Sequence, residues 1–236
     1  MKPRLPFPAT RRQRGQGTLE FQIIGALILI PLLLFVLQIG LLVMAKNTLN
    51  VATLGAARAG AASGGSHDAM NDALAIGLAP LYAGRAKQDT GVGMADISAG
   101  NYLQVMGAAV VRSKIDNVLW RKITVLNPTA KSFADFGVAR PGGNVIIPVT
   151  NVYNNTAVGG SSGQTRGDAL LLKIEVRYCH TLDIPIIREI MTGFLNGVFS
   201  GASVEDRICY AADRMPLVSQ AVVRMTVPPV RQALLR

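Results

Sequence analysis

Two cysteines, two histidines and one tryptophan are all that 236 residues hold of those types. The histidines, His67 and His180, stand far apart, and no CxxC or HxxxH spacing occurs. That scarcity excludes the usual zinc frameworks. Charge is also sparse, at 16% of residues, and aromatics make up 6%. The formal charge is +10, yet five of those positive charges fall within the first fifteen residues. From Lys46 onward 19 basic and 13 acidic residues are scattered, with no run denser than Arg121-Lys122. Arginines do not interleave with aromatics, as a base-stacking platform requires, so nucleic acid is not an expected partner. A mildly basic surface facing anionic envelope polymers accounts for the balance. No internal repeat is present.

What the chain does have is one long apolar run. Phe21 to Ala45 is 25 residues without an ionisable group. As a helix it reaches about 37 Å, beyond the ~30 Å hydrocarbon core of a bilayer. Lys2, Arg4, Arg11, Arg12 and Arg14 precede it with no acid among them, which places the N-terminus in the cytoplasm. A secretory signal would be cut after its apolar stretch, near Ala45 or Ala57-Arg58-Ala59, but 25 apolar residues exceed an h-region. The segment therefore reads as a retained anchor. Glu20 abuts it, although desolvating an unpaired carboxylate at a membrane boundary is costly.

The passage Arg11-Arg12-Gln13-Arg14-Gly15-Gln16-Gly17-Thr18-Leu19-Glu20-Phe21 resembles the class III leader of type IV pilins and pseudopilins. The resemblance implies cleavage by a prepilin peptidase between Gly15 and Gln16, which makes Glu20 the fifth residue of the mature chain. On a helix Gln16 and Glu20 share a face at i, i+4, and the first turn favours negative charge. The family pattern implies that Glu20 of one subunit pairs with the new ammonium at Gln16 of its neighbour. Downstream, Ala52-Thr53-Leu54-Gly55-Ala56-Ala57-Arg58-Ala59-Gly60-Ala61 resembles the stretch that follows the membrane helix in TadE-like proteins of the tight-adherence (Tad) pilus machinery. Ala56, Ala57 and Arg58 carry that motif. The family's second arginine has no counterpart, since Ala61 and Ala62 stand there. Arg214 to Met225 resembles the closing strand of the same family. The resemblance covers residues 11–62 closely and 168–227 loosely.

It implies a TadE-like minor pilin or pseudopilin, non-catalytic and without a cofactor, in Tad (type IVb) pilus biogenesis. Its implied partners are the inner membrane, the prepilin peptidase and other Tad pilus subunits and pseudopilins. The C-terminal domain would be periplasmic. Two further readings stay open: an uncleaved, signal-anchored periplasmic binding or adhesion protein, and a type II secretion pseudopilin. The latter usually lacks the Ala57-Arg58 stretch.

The expected architecture is α+β, with a basic leader at 1–15, a membrane and juxtamembrane helix at 16–62, and a periplasmic domain at 63–236. The helix should stop at Ser63-Gly64-Gly65, kink near Pro31, and show a small-residue face at Leu49, Ala52, Ala56 and Ala59. Further helices are read at Asp68–Tyr82, capped by Asp68 and stopped by Gly84, and at Asn101–Lys114 and Ile184–Phe199. Leu119–Leu126 and Asn144–Val149 are β-rich, with Pro141-Gly142-Gly143 as a turn between them. Leu172–Tyr178 alternates apolar and charged residues, the mark of an antiparallel strand with one wet face. Arg214–Val227 reads as the last strand. With the N-terminus inside, Cys179 and Cys209 face an oxidising compartment, where a bridge closing about 30 residues stabilises by roughly 3–4 kcal/mol. Two unpaired buried thiols are the alternative.

Catalytic patterns do not gain support. Gly159-Gly160-Ser161-Ser162-Gly163 fits GxSxG, but that elbow needs a strand before it and a helix after it. Here it reads as part of a loop, Asn151–Gly167, followed by a strand. His67 reads as a loop residue. Asp135, Asp168, Asp183 and Asp213 show no pair or triad spacing, and Asn154-Asn155-Thr156 is a bare glycosylation sequon.

Overall fold

A computed structural model describes residues 16–91, 98–150, 152, 156–198 and 203–235. The fold is α+β with an N-terminal helix long and apolar enough to cross a membrane. Helix α1 (Gln16–Ile24) runs through one π-helical turn, Gly25–Leu29, into α2 (Ile30–Ala62). Where a kink is expected, beside Pro31, the helix makes this π turn. Pro31 has no N–H to give the preceding turn, and the Ile30 N–H reaches back five residues to the Gly25 carbonyl. Helix α2 ends where the breaker cluster stands. The Ser63 N–H donates to Ala59 O at 3.0 Å and the Gly65 N–H to Gly60 O at 2.8 Å. Gly64 and Gly65 there take φ of 69° and 93°, which side chains resist.

Helix α3 (His67–Thr90) folds back along α2. Its cap is Ser66, whose Oγ accepts the Ala69 N–H, and not Asp68, which lies in the first turn. Nor does it end at Tyr82. It continues through Pro80 and Gly84 to Thr90, because Leu78, Ala79, Tyr82 and Ala86 are buried and that packing outweighs two poor helix formers. The α2–α3 contact is close: a Cβ at Gly77 would lie 2.7 Å from Ala52 Cα.

Helix α4 (Ala99–Trp120) packs on α3 and exceeds the expected Asn101–Lys114 at both ends. Strand β1 (Arg121–Asn127) follows directly, then α5 (Ala130–Phe136), β2 (Val138–Ala139) and β3 (Val145–Ile146). The turn at Pro141–Gly143 joins β2 to β3, so the β-rich stretches flanking it in the sequence do not pair with each other. After α6 (Arg166–Ala169) come β4 (Leu171–Thr181), α7 (Pro185–Val198), α8 (Val204–Ala211), β5 (Arg214–Arg224) and α9 (Arg231–Leu234).

Strand β4 is the centre of an antiparallel sheet ordered β1-β4-β5. Its alternation does what the pattern demands. Leu172, Ile174, Val176 and Tyr178 are buried in one cluster with Leu49, Ala56 and Leu74, while the intervening positions are more exposed. The upper half of α2 lies against β4 and β5.

Candidate assembly interface

The long helix divides by its surroundings. From Phe21 to Met44 every residue is exposed or half-buried except Gln38. Glu20 is exposed about one turn into α1, on the face that i, i+4 spacing assigns to Gln16. Gly15 lies outside the described residues. From Ala45 onward the helix enters the protein: Ala45, Leu49, Ala52, Thr53, Ala56, Ala57, Gly60 and Ala61 are buried. Ala59, expected on this face, is only half-buried; Gly60 takes its place and meets Met70 and Leu172. Of the juxtamembrane motif, Ala56 and Ala57 are packing residues. Arg58 is exposed on the opposite side and, among the described residues, has no ion-pair partner.

Three polar side chains fasten α2 to the rest. Asn50 Oδ1 accepts the Ser219 hydroxyl at 2.8 Å, and Lys46 Nζ donates to Val218 O. Lowest on the helix, Gln38 Oε1 accepts the Ile184 N–H at 3.1 Å. Gln38 lies within the apolar run yet is fully buried.

A second polar cluster has no trace in local sequence spacing. Arg214 of β5 grips Asp116 of α4 with both terminal nitrogens at 3.0 Å and stacks 4.3 Å from the Trp120 ring centre. The Tyr82 hydroxyl donates to Asp116 Oδ2 at 2.6 Å and lies 2.7 Å from the Tyr178 hydroxyl. Burial works to raise the Asp116 carboxyl, but hydrogen bonds from Arg214 and Tyr82 hold it below its ordinary value. Burial raises both tyrosines above theirs, lowers His180, and brings Arg121 down to about 10. These residues tie α3, α4, β4 and β5 together. A cleft of about 320 Å³, lined by Tyr82, Arg85, Arg112, Ile115, Asp116 and Leu119, opens onto Tyr82 and Asp116.

Cys179 and Cys209 form a disulfide with Cα atoms 5.4 Å apart. It joins the end of β4 to α8, a helix, and not to another strand. Helix α8 also covers the outer face of the sheet, where Arg177 Nη1 meets Asp206 Oδ1 at 2.9 Å.

Helix α4 presents an apolar ridge outward. Leu103, Val111, Ile115 and Leu119 recur at multiples of four residues and stay more than half exposed, Leu119 at 76%. The ridge continues into Ile208 of α8, which shares a cleft of about 130 Å³ with Leu119. Exposed apolar surface of this extent marks contact with another molecule.

The residues weighed for catalysis are placed in structural work. The backbone N–H groups of Ser161 and Ser162 donate to the Asp135 carboxylate, which Ser162 and Ser161 hold down at about 2. The GxSxG stretch is a turn latched to α5, followed by the single turn of α6 before β4. Asp168 forms a capping box with Thr165, and His67 opens α3 with Nε2 3.3 Å from Leu234 O. Asn154 and Asn155 lie outside the described residues. Among the described residues no three His, Cys, Asp or Glu side chains gather as a metal site.

Residues 15–58 match the family model of TadE-like proteins. No curated protein and no solved structure matches the chain. The matched stretch begins at Gly15, contains Glu20 and the whole apolar run, and closes on Ala56-Ala57-Arg58. It therefore covers both the exposed lower half of the long helix and most of its buried upper half.

Proposed function

We propose that this chain is a TadE-like minor pilin or pseudopilin, a non-catalytic component of Tad (type IVb) pilus biogenesis. The match over residues 15–58 carries the reading. It is supported by an apolar helix that is exposed along its lower half and led by the carboxylate of Glu20. The chain inserts as a single-pass protein of the bacterial inner membrane, N-terminus cytoplasmic, with residues 63–236 in the periplasm. A prepilin peptidase removes residues 1–15, and Gln16 becomes the new terminus. Glu20 then neutralises the Gln16 ammonium of an adjoining subunit, as a charge in a site poor in water requires. The α4 ridge is the surface by which the outer domain docks on other pilus subunits.

Intact mass of the membrane protein tests this. A chain that begins at Gln16, and a Gly15→Leu variant that keeps the leader while still fractionating with membranes, are the expected results. A full-length parent in a host with its peptidase would turn the reading towards an uncleaved, signal-anchored binding or adhesion protein.

A further inference from the structure

Helix α7 begins beside the exposed half of α2. Its first turn is tied to α2 through Gln38, whose Oε1 receives the Ile184 N–H at 3.1 Å. Ile184 is the residue just before the helix, and its own carbonyl accepts the Arg188 N–H at 2.9 Å. Gln38 therefore sets where α7 starts. From Glu20 to Gln38 the helix rises about 27 Å, close to the ~30 Å hydrocarbon thickness. The apolar run continues seven residues beyond Gln38, a length the bilayer core does not need. Of those seven residues only Ala45 is buried, and Lys46 just beyond them is bonded to β5. The far boundary of the hydrocarbon thus falls between Gln38 and Ala45, beside the point where α7 sets out.

The composition of α7 suits that place. Projected on a helix, Ile187, Ile190 and Met191 fall on one side, and Arg188 and Glu189 on the other. One edge of the apolar side turns inward, with Ile187 2% exposed; another turns out, with Ile190 56% exposed. An amphipathic helix that starts beside an exposed apolar span is an interfacial helix by its chemistry. We infer that α7 lies in the outer-leaflet interface of the membrane, its apolar side in phospholipid, and acts as a second membrane attachment beside the spanning helix. The inference rests on residues 21–44 crossing a bilayer and on no pilus role.

The experiment uses the full chain in vesicles of phosphatidylethanolamine and phosphatidylglycerol. Since Cys179 and Cys209 are bonded to each other, one introduced cysteine takes a nitroxide label without competition. Labels are placed at Ile190→Cys, Glu189→Cys, Val222→Cys on the exposed outer sheet, and Leu33→Cys in the span. Collision with dissolved oxygen reports lipid, and collision with a soluble nickel chelate reports water. The expected result is a several-fold higher oxygen-to-nickel ratio at position 190 than at 189 or 222, with a depth of about 5–10 Å. A ratio at 190 equal to that at 222, with Leu33 in lipid, overturns the inference. Low collision with both reagents at 190 also overturns it, in favour of a protein contact. A water-exposed label at position 33 removes the span itself and the inference with it, a failure readily told from the other two.

Discussion

The two halves of the long helix differ in the size of their side chains. Below Ala45 the helix carries Leu, Ile, Val and Phe, and these stay exposed. Above it the buried positions are Ala, Gly and Thr, with Leu49 the one bulky exception. Bulky residues suit a fluid solvent of lipid chains. Small ones let a neighbouring backbone approach, as Ala52 and Gly77 do. Side-chain volume, and not hydrophobicity alone, separates the exposed half of the helix from the half that packs in the protein's own core.

If the halves are divided in this way, substitutions below Ala45 change assembly and spare the fold, and substitutions above it do the reverse. The largest effect is expected at Glu20. Glu20→Gln leaves a neighbour's ammonium unpaired, at a cost of about 3–5 kcal/mol, or two to three decades in association. Co-purification of tagged pilus partners should drop accordingly, while insertion and the melting temperature stay unchanged. Wild-type partner recovery would reduce Glu20 to a solvated carboxylate. Glu20→Asp keeps the charge with shorter reach and should lie between the two.

Next comes the disulfide, remote from the membrane half. Replacing Cys179 and Cys209 together with serine should lower stability by about 3–4 kcal/mol for a loop of this length. Denaturant titration of the full chain in detergent measures it. Thiol alkylation of unreduced parent protein, native or denatured, should find neither cysteine free.

The seam offers the direct contrast. Ala52→Leu forces a branched side chain against Gly77 and should cost about 1–3 kcal/mol. Leu33→Ala, in the exposed half, should leave the same melting curve in place. Equal losses for the pair would erase the distinction between the halves.

The smallest effect is a pH dependence at Asp116. Its folded pKa lies below the unfolded value of about 3.9, so its stabilisation is present above pH 4 and is lost as pH falls through the folded value. Partial exposure holds the contribution to about 1 kcal/mol. Asp116→Asn should flatten this acid limb, as thermal melts between pH 2 and 6 would register.

Features that depend on neighbours in sequence were legible there. The apolar run, the stop at Ser63–Gly65 and the alternation of β4 each follow from local spacing. Boundaries set by tertiary packing were not. Pro80 and Gly84 signal an end to α3, yet the burial of Tyr82 and Ala86 carries the helix six residues past Gly84. Ser66 and Asp68 are both good caps, and only backbone geometry distinguishes them. The Tyr82–Asp116–Tyr178–Arg214 cluster joins residues up to 98 apart in the chain, so no motif announces it. Gln38 was visible as a polar residue in an apolar run. Its partner is a backbone amide 146 residues away, and a backbone amide carries no sequence signal.

The absence of a hinge at Ala45 has a mechanical consequence. Helix α2 runs 33 residues from the membrane half into the core of the outer domain without a break, a rod of about 50 Å. Force applied to its lower end reaches the domain without slack, and rotation of the span turns the sheet packed against it. The π turn at Gly25–Leu29 is where the hydrogen-bond ladder is loosest, and it lies towards the N-terminal end. A subunit drawn out of the membrane would yield there first. The load path from lipid to outer domain stays stiff.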